Sequence, residues 1–335
     1  MLNIQHQFVE NILCNASHGA KEQGRAFASS NIALCKYWGK RDQELNLPMN
    51  GSLSISLGSK GTLTEVQRSS LDRFFLNDQL IDPSSTFSLR LSRFLDLFRN
   101  KCRAPGFKVL TYNTIPTAAG LASSASGYAA LVLALDDLAG WQLNRKKLSM
   151  LARIGSGSAA RSLYSGFVVW HAGINQDGLD SYAEQLDVKW PEFQIGILKL
   201  SNNKKPISSR SAMQRTVNTS KRYRKWPKRA ADDLEKIKIS ILEGNFSRMG
   251  QIAEDNALEM HATMREAVPS IDYFISETWI QIKKIQKLRN NGLSIYLTID
   301  AGPNIKLLFQ RKDAHIVIKE FDSLEIIDPF GDNNA

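Results

Sequence analysis

Apolar positions recur along this chain in two rhythms, a period of two and a period near 3.6, and their order predicts a mixed architecture. Strict alternation from Leu53 predicts a half-buried strand over 53–57. Further short strands are predicted at 25–29, 62–67 and 73–76, with Asn77 and Asp78 forming the turn after the last. Phe87, Leu91, Phe94, Leu95 and Phe98 share one face of a helix over 84–101. A strand over 107–114 then feeds a Gly/Ser loop and a run of alanines, leucines and valines over 122–139, which reads as a buried helix. A short helix over 145–153 and a strand over 166–170 follow, and a strand over 195–200 is expected to close a first domain. Beyond it the pattern turns helical over 221–242, 246–264 and 271–290. A buried strand over 293–299, a strand over 306–310, a helix over 314–321 and a strand over 324–328 complete a small layer. Residues 1–24 carry only a weak helical signal, over 8–13, and are expected to be an accessory helix or a disordered lead.

A length of 335 residues is the upper limit for a single core, so two domains are expected, over 25–203 and 204–335. Apolar residues at 43% and charged residues at 23% describe an ordinary globule. The longest apolar run is broken by Asp136 and Asp137, so no membrane span is expected. The first residues lack a basic segment followed by an apolar core, so no signal peptide is expected. Cys14, Cys35 and Cys102 are scattered without metal spacing and fit a reducing cytoplasm, and the five histidines show no metal-ligand pattern. The net charge of +10 is concentrated: residues 193–231 hold eleven Lys or Arg and no Asp or Glu. Such a stretch suits a nucleic acid, a small polyanion, or a solvated basic helix face. Aromatic interleaving there is limited to Tyr223 and Trp226 and no nucleic-acid module is present, so no nucleic-acid partner is expected.

Candidate chemistry begins at Pro116-Thr-Ala-Ala-Gly-Leu-Ala-Ser-Ser-Ala-Ser126. Pro116 fixes φ, Gly120 frees it, and a helix opens at once behind them. Unpaired backbone N–H groups and a positive dipole at the helix mouth, with the Ser123 and Ser124 hydroxyls, make a phosphate cradle. The same residues also describe a serine-capped core helix. Neither the Walker loop nor Gly-x-Gly-x-x-Gly occurs. Lys36 and Lys40 flank Tyr37-Trp-Gly39, which by itself reads equally as an amphipathic strand edge with solvated lysines. Gly155-Ser-Gly-Ser158 followed by Arg161 offers N–H, hydroxyl and guanidinium donors to a carboxylate or diphosphate. Asp300 ends an apolar strand before Gly302 and Pro303, where a carboxylate is costly unless paired or used. His261 lies within a helix and reads as a satisfied structural group.

The loop at 116–126 resembles the ATP-phosphate loop of the GHMP kinase superfamily. Three more segments narrow the resemblance: Asn31-Ile-Ala-Leu-Cys-Lys-Tyr-Trp-Gly-Lys-Arg-Asp42 with Leu45-Asn-Leu-Pro48, Gly155-Ser-Gly-Ser-Ala-Ala-Arg-Ser162, and Tyr296-Leu-Thr-Ile-Asp-Ala-Gly-Pro-Asn304. In this order they are similar to the diphosphomevalonate decarboxylase family, from about residue 25 to 308. That resemblance implies a two-domain fold, with an N-terminal ribosomal protein S5 domain 2-like unit and a C-terminal ferredoxin-like layer. It implies ATP and Mg2+, mevalonate 5-diphosphate as substrate, isopentenyl diphosphate, ADP, phosphate and carbon dioxide as products, and a homodimer. By the same resemblance Asp300 is base or orienter, Lys40 the cation beside it, Lys36 a second cation there, and Arg161 the carboxylate holder with Asn46. Tyr37, Trp38, Gly39, Ser156, Gly157, Ser158, Ala159, Ala160, Ser209, Arg210 and Met213 are implied to line the substrate, and Gly120, Leu121, Ala122, Ser123, Ser124 and Ala125 the nucleotide. Ala160, Ile154, Gln79 and Arg210 depart from residues seen in some relatives. A monophosphate substrate, or a mevalonate-type kinase that does not decarboxylate, therefore stands as the alternative, and a basic nucleic-acid-binding protein as a distant one.

Overall fold

A computed structural model describes residues 3–17, 19, 21–114, 123–203 and 205–331. Gly120, Leu121 and Ala122 of the expected nucleotide loop lie outside the described residues, as does the side chain of Ser123.

The strand Ser52–Ser69 is the spine of the N-terminal lobe. The strand Gln23–Cys35 pairs antiparallel along its whole length, from Gln23 opposite Gln67 to Cys35 opposite Leu53. Its other edge takes Phe167–Trp170 at the beginning and Gly106–Asn113 at the end. The segments 53–57 and 62–67, expected as two strands, are thus one. Gly58, with φ +58°, and a register shift between Ser29 and Asn31 let the strand bend without stopping. Arg73–Leu76 runs parallel to Gly106–Asn113 and returns as Gln79–Leu80 through Asn77 and Asp78, both left-handed.

The helix Ser123–Ala139 lies on this sheet, with Ala129, Ala130, Val132, Leu135 and Leu138 in the core. The N-terminal helix Ile4–Leu13, capped by Asn3, buries Phe8, Val9, Ile12 and Leu13 in the same cluster. It is part of the lobe, not a disordered lead.

The C-terminal lobe is built on an antiparallel sheet in the order Tyr296–Ile299, Ile305–Gln310, Phe193–Leu198, Glu325–Ile327. This corrects the expected boundary. Among the described residues, the strand Phe193–Leu198, read as closing the first domain, pairs only with strands from the far end of the chain. Helices Phe246–Arg265 and Ser276–Asn290 contribute to its packing, the latter through Ile282 and Ile285. Ile32, Leu34, Leu53 and Ile55 from one lobe meet Ile195, Ile197, Phe246 and Tyr296 from the other in a shared core. That core fixes the ends of strands Gln23–Cys35 and Tyr296–Ile299 beside each other. No described helix is long and apolar enough to cross a membrane.

Candidate active site

Asp300 follows directly on the strand Tyr296–Ile299, and Lys36 directly on Gln23–Cys35. Lys36 Nζ donates to Asp300 Oδ1 at 2.7 Å and to the carbonyl of Ala33 at 2.8 Å. Asp300 Oδ2 faces Lys306 Nζ at 3.2 Å. The lysine side chains are 2% and 1% exposed, while Asp300 opens onto a cleft at 26%. Burial alone would raise the Asp300 carboxyl, but Lys36 and Lys306 outweigh it and hold it well below the usual carboxylate range. Burial pulls the Lys36 ammonium down, and Asp300 opposes that pull. The Lys36 backbone N–H is fixed by Asn256 Oδ1 at 2.8 Å, and Asn256 is itself held by Asp233. His261 Nε2 lies 3.1 Å from the Asp300 carbonyl, so it donates there. Burial lowers its pKa to about 3, which leaves it neutral and structural.

Lys40, expected beside Asp300, is placed elsewhere; Lys36 and Lys306 occupy that position. Lys40 sits on a two-stranded ribbon, Lys40–Asp42 with Leu47–Pro48, and its ammonium donates to Asn46 Oδ1. Asn46 is left-handed, with φ +52°, and its amide donates to the carbonyls of Arg153 and Ile154 at the end of helix Arg145–Gly155. Burial, then the charges of Arg210 and Arg90, lower the Lys40 pKa to about 8.

Arg161 is buried in the turn of helix Gly157–Leu163. Its Nη1 donates to Ser52 Oγ and its Nη2 to Asn31 Oδ1 at 3.3 Å, while Nε is buried without a partner. Burial lowers its pKa to about 10. The Tyr37 hydroxyl is likewise buried and unpartnered, its ring set edge-on against Trp170 at 4.8 Å. The Trp38 carbonyl accepts from the Tyr223 hydroxyl and Trp226 Nε1, both at 3.1 Å, which locks the Tyr37–Gly39 loop against the helical segment behind it.

These side chains surround one cleft of about 380 Å³. Of the expected residues, Lys36, Tyr37, Trp38, Lys40, Asn46, Ser156, Gly157, Ser158, Arg161, Ser209, Arg210, Met213, Asp300 and Ser124 line it. Ala125, Ala159 and Ala160 are instead buried in the core, and Gly39 packs against Tyr223. Sequence reasoning missed Arg90 and Lys205 in the lining and Lys306 beside Asp300. A second, more apolar cavity of about 310 Å³ adjoins the first, walled by Leu76, Phe87, Leu91, Val109, Tyr128 and Leu131. Arg90 and Ser124 line both. The described residues hold no group of three His, Cys, Asp or Glu able to bind a metal ion.

Two lobes of this build, with a serine-tipped helix between two adjoining cavities, place the chain in the GHMP kinase superfamily. Residues 28–183 match the family model of the diphosphomevalonate decarboxylase-like N-terminal domain, and residues 195–328 that of the mevalonate 5-diphosphate decarboxylase C-terminal domain. The chain belongs to the diphosphomevalonate decarboxylase family. It is 37% identical over 319 residues to the diphosphomevalonate decarboxylase of Debaryomyces hansenii, covering 88% of this chain and 81% of the relative. The crystal structure of mevalonate diphosphate decarboxylase from Staphylococcus aureus superposes with a TM-score of 0.87 at 37% identity, over 92% of this chain and 95% of that one. A structure of MDDEF in complex with MVAPP, AMPPCP and magnesium superposes with a TM-score of 0.86 at 38% identity, over 91% and 95%.

Proposed function

We propose that this chain converts mevalonate 5-diphosphate and ATP into isopentenyl diphosphate, ADP, phosphate and carbon dioxide, using the cleft between its lobes. The observation that carries this reading is Asp300 set between two buried lysines, facing the same cleft as an under-bonded buried Arg161.

A tertiary hydroxyl is a poor leaving group. Its oxygen first forms a bond to the γ-phosphorus of ATP as the bond to ADP breaks, and the hydroxyl proton passes late in that step to an oxygen of the transferred phosphoryl group. The C–O bond then breaks and phosphate leaves, while the carboxylate departs as carbon dioxide and its electron pair forms the double bond. Phosphoryl transfer asks the protein mainly for alignment and charge neutralisation. Asp300 accepts the hydroxyl hydrogen bond and aims the oxygen. Arg161, which lines the cleft, offers its guanidinium to the substrate carboxylate. Lys40, Arg210 and Arg90, which line the same cleft, receive the diphosphate, whose charge they fit better than a monophosphate's.

The apolar cavity takes the adenosine, and Ser124 and Arg90 at the junction reach the ATP phosphates. Magnesium supplies further neutralisation when bound with the nucleotide. The Ser124 hydroxyl, which lines both cavities and lies 3.4 Å from Ser156 Oγ, is placed to hold it. The basic stretch 193–231 then serves small polyanions and not nucleic acid, and a cytoplasmic homodimer accords with this reading.

The test is incubation with ATP and each of mevalonate, its monophosphate and its diphosphate, following ADP and carbon dioxide together. Equal release from the diphosphate alone is expected. ADP without carbon dioxide would replace this reading by that of a kinase.

A further inference from the structure

Asp300 is gripped from two directions by lysines of different origin. Lys36 belongs to the N-terminal lobe and reaches across to Oδ1. Lys306 belongs to the same sheet as Asp300 and meets Oδ2. The register explains the second contact. Lys306 lies opposite Thr298, two residues before Asp300, so the lysine and the carboxylate are diagonal neighbours on one face of the sheet. Its neighbours Ile305, Leu307 and Leu308 are fully buried, and its ammonium is 1% exposed. Burying a cation in such a strand is costly unless it is paired. A role in bulk solubility is thereby excluded, and Asp300 supplies a carboxylate at 3.2 Å.

Resting on the decarboxylase reading above, we propose that Lys306 is a positioning residue for the reaction: it anchors Oδ2 within the C-terminal lobe, so that Asp300 keeps its aim whatever the separation of the lobes. Lys36 then closes the arrangement from the other side. It shares the Ala33 carbonyl with Thr298 Oγ1, at 2.8 and 3.1 Å, so the inter-lobe grip passes through one backbone oxygen. Without Lys306 the carboxylate is free to rotate toward the remaining cations. The charged and titratable groups that face Asp300 are Lys36 and Lys306, Arg161 from the short helix of the N-terminal lobe, Lys205 from the segment before helix Ser209–Thr219, and the neutral His261 from helix Phe246–Arg265. Three cations thus remain when Lys306 is removed. The carboxylate still ionises at neutral pH, but its position is no longer fixed.

Lys306→Met keeps the length of the side chain and removes the charge. Turnover, read as ADP release, is expected to fall on the order of 10²-fold, the scale of an ångström of misplacement, with KM for both substrates changed by less than about threefold. Lys306→Arg keeps the charge and the ion pair, so it is expected to recover most of that loss. A merely structural Lys306 would lower the unfolding temperature of Lys306→Met and leave the kcat of the folded protein near the parent's. A folded Lys306→Met protein with kcat within about threefold of the parent overturns the proposal, and so does a folded Lys306→Arg protein no more active than Lys306→Met. If Lys306→Met does not fold, Lys306→Gln replaces it under the same criteria. Carbon dioxide is followed separately. A parent that releases ADP without it rejects the decarboxylase reading and leaves the anchor to be judged on ADP release.

Discussion

Lys36 and Asp300 stand 264 positions apart in the chain and meet at 2.7 Å. Each ends a strand, and the two strands belong to different sheets. The reacting centre therefore exists only when the lobes are docked, and the shared core of Ile32, Leu34, Ile195 and Tyr296 is what docks them.

Replacing Asp300 by Asn should lower turnover on the order of 10²–10³-fold, the scale of one electrostatic contact at a reacting centre, while ATP still binds. It should also destabilise the fold, because Lys36 and Lys306 lose their counter-charge. The loss should be smaller than the roughly 3–5 kcal/mol of a fully enclosed pair, since Asp300 opens onto the cleft. The folded carboxyl is depressed, so its contribution is present above the unfolded value of about 3.9 and disappears as pH falls through the folded one. Urea unfolding at pH 7 and again near pH 3 checks this: the gap between parent and variant should narrow on acidification.

Lys40 gives a second dependence, of opposite sense. Burial and the neighbouring Arg210 and Arg90 lower its pKa to about 8, so the free protein loses this charge as pH rises through that value. A diphosphate that needs the ammonium should then show kcat/KM falling above about pH 8. The effect on kcat should be weaker, because a bound polyanion returns the pKa upward. Lys40→Arg, which stays charged, should lose the basic limb even if its absolute kcat/KM is lower. A limb that persists unchanged in Lys40→Arg assigns it to another group.

Much of this centre was legible in local sequence, and what was not has a common physical cause. Asp300, Lys36, Arg161 and the serines of 155–158 sit in short contiguous patterns whose residue types already state the chemistry. Lys306 was invisible because its role depends on register. In Ile305-Lys-Leu-Leu-Phe309 it reads as one polar break in a strand, and only pairing with Tyr296–Ile299 turns it toward Asp300. The exchange of places between Lys36 and Lys40 has a similar origin. Spacing put both lysines near one loop, but the left-handed Asn46 draws Lys40 to the opposite wall. The lobe of strand Phe193–Leu198 is not legible locally, because its partners lie more than a hundred residues downstream. Arg90 looked like any solvated position on the polar side of an amphipathic helix.

Gly39 connects backbone geometry to the substrate wall. Its φ is +105°, and a Cβ there would lie 1.7 Å from the Tyr223 hydroxyl oxygen. Gly39→Ala should therefore cost roughly 1–3 kcal/mol in strain alone, and more if the Tyr223 bond to the Trp38 carbonyl breaks. Tyr223→Phe removes one donor while Trp226 Nε1 still serves that carbonyl, so it should cost only about 1 kcal/mol. The double variant should be more stable than the sum of the two, because losing the hydroxyl relieves part of the clash. Thermal unfolding of the four proteins gives the coupling, and strict additivity would show that the loop moves aside instead.

Arg90 gives the sharpest test of how the two cavities cooperate. It stands on helix Thr86–Asp96, lines both spaces, and lies close enough to Lys40 to lower its pKa. A guanidinium at that junction can touch nucleotide and diphosphate phosphates at once, where charge accumulates during transfer. Arg90→Gln should raise KM for ATP and lower kcat/KM on the order of tenfold, one charged contact's worth of about 1.4 kcal/mol. Arg93→Gln is the control. It removes the same charge from the same helix at an exposed position that lines neither cavity. A long-range field effect would weaken both variants alike and fade with added salt. A contact at the junction affects Arg90→Gln alone and survives at 0.5 M salt, so equal losses in the two variants would remove Arg90 from the site.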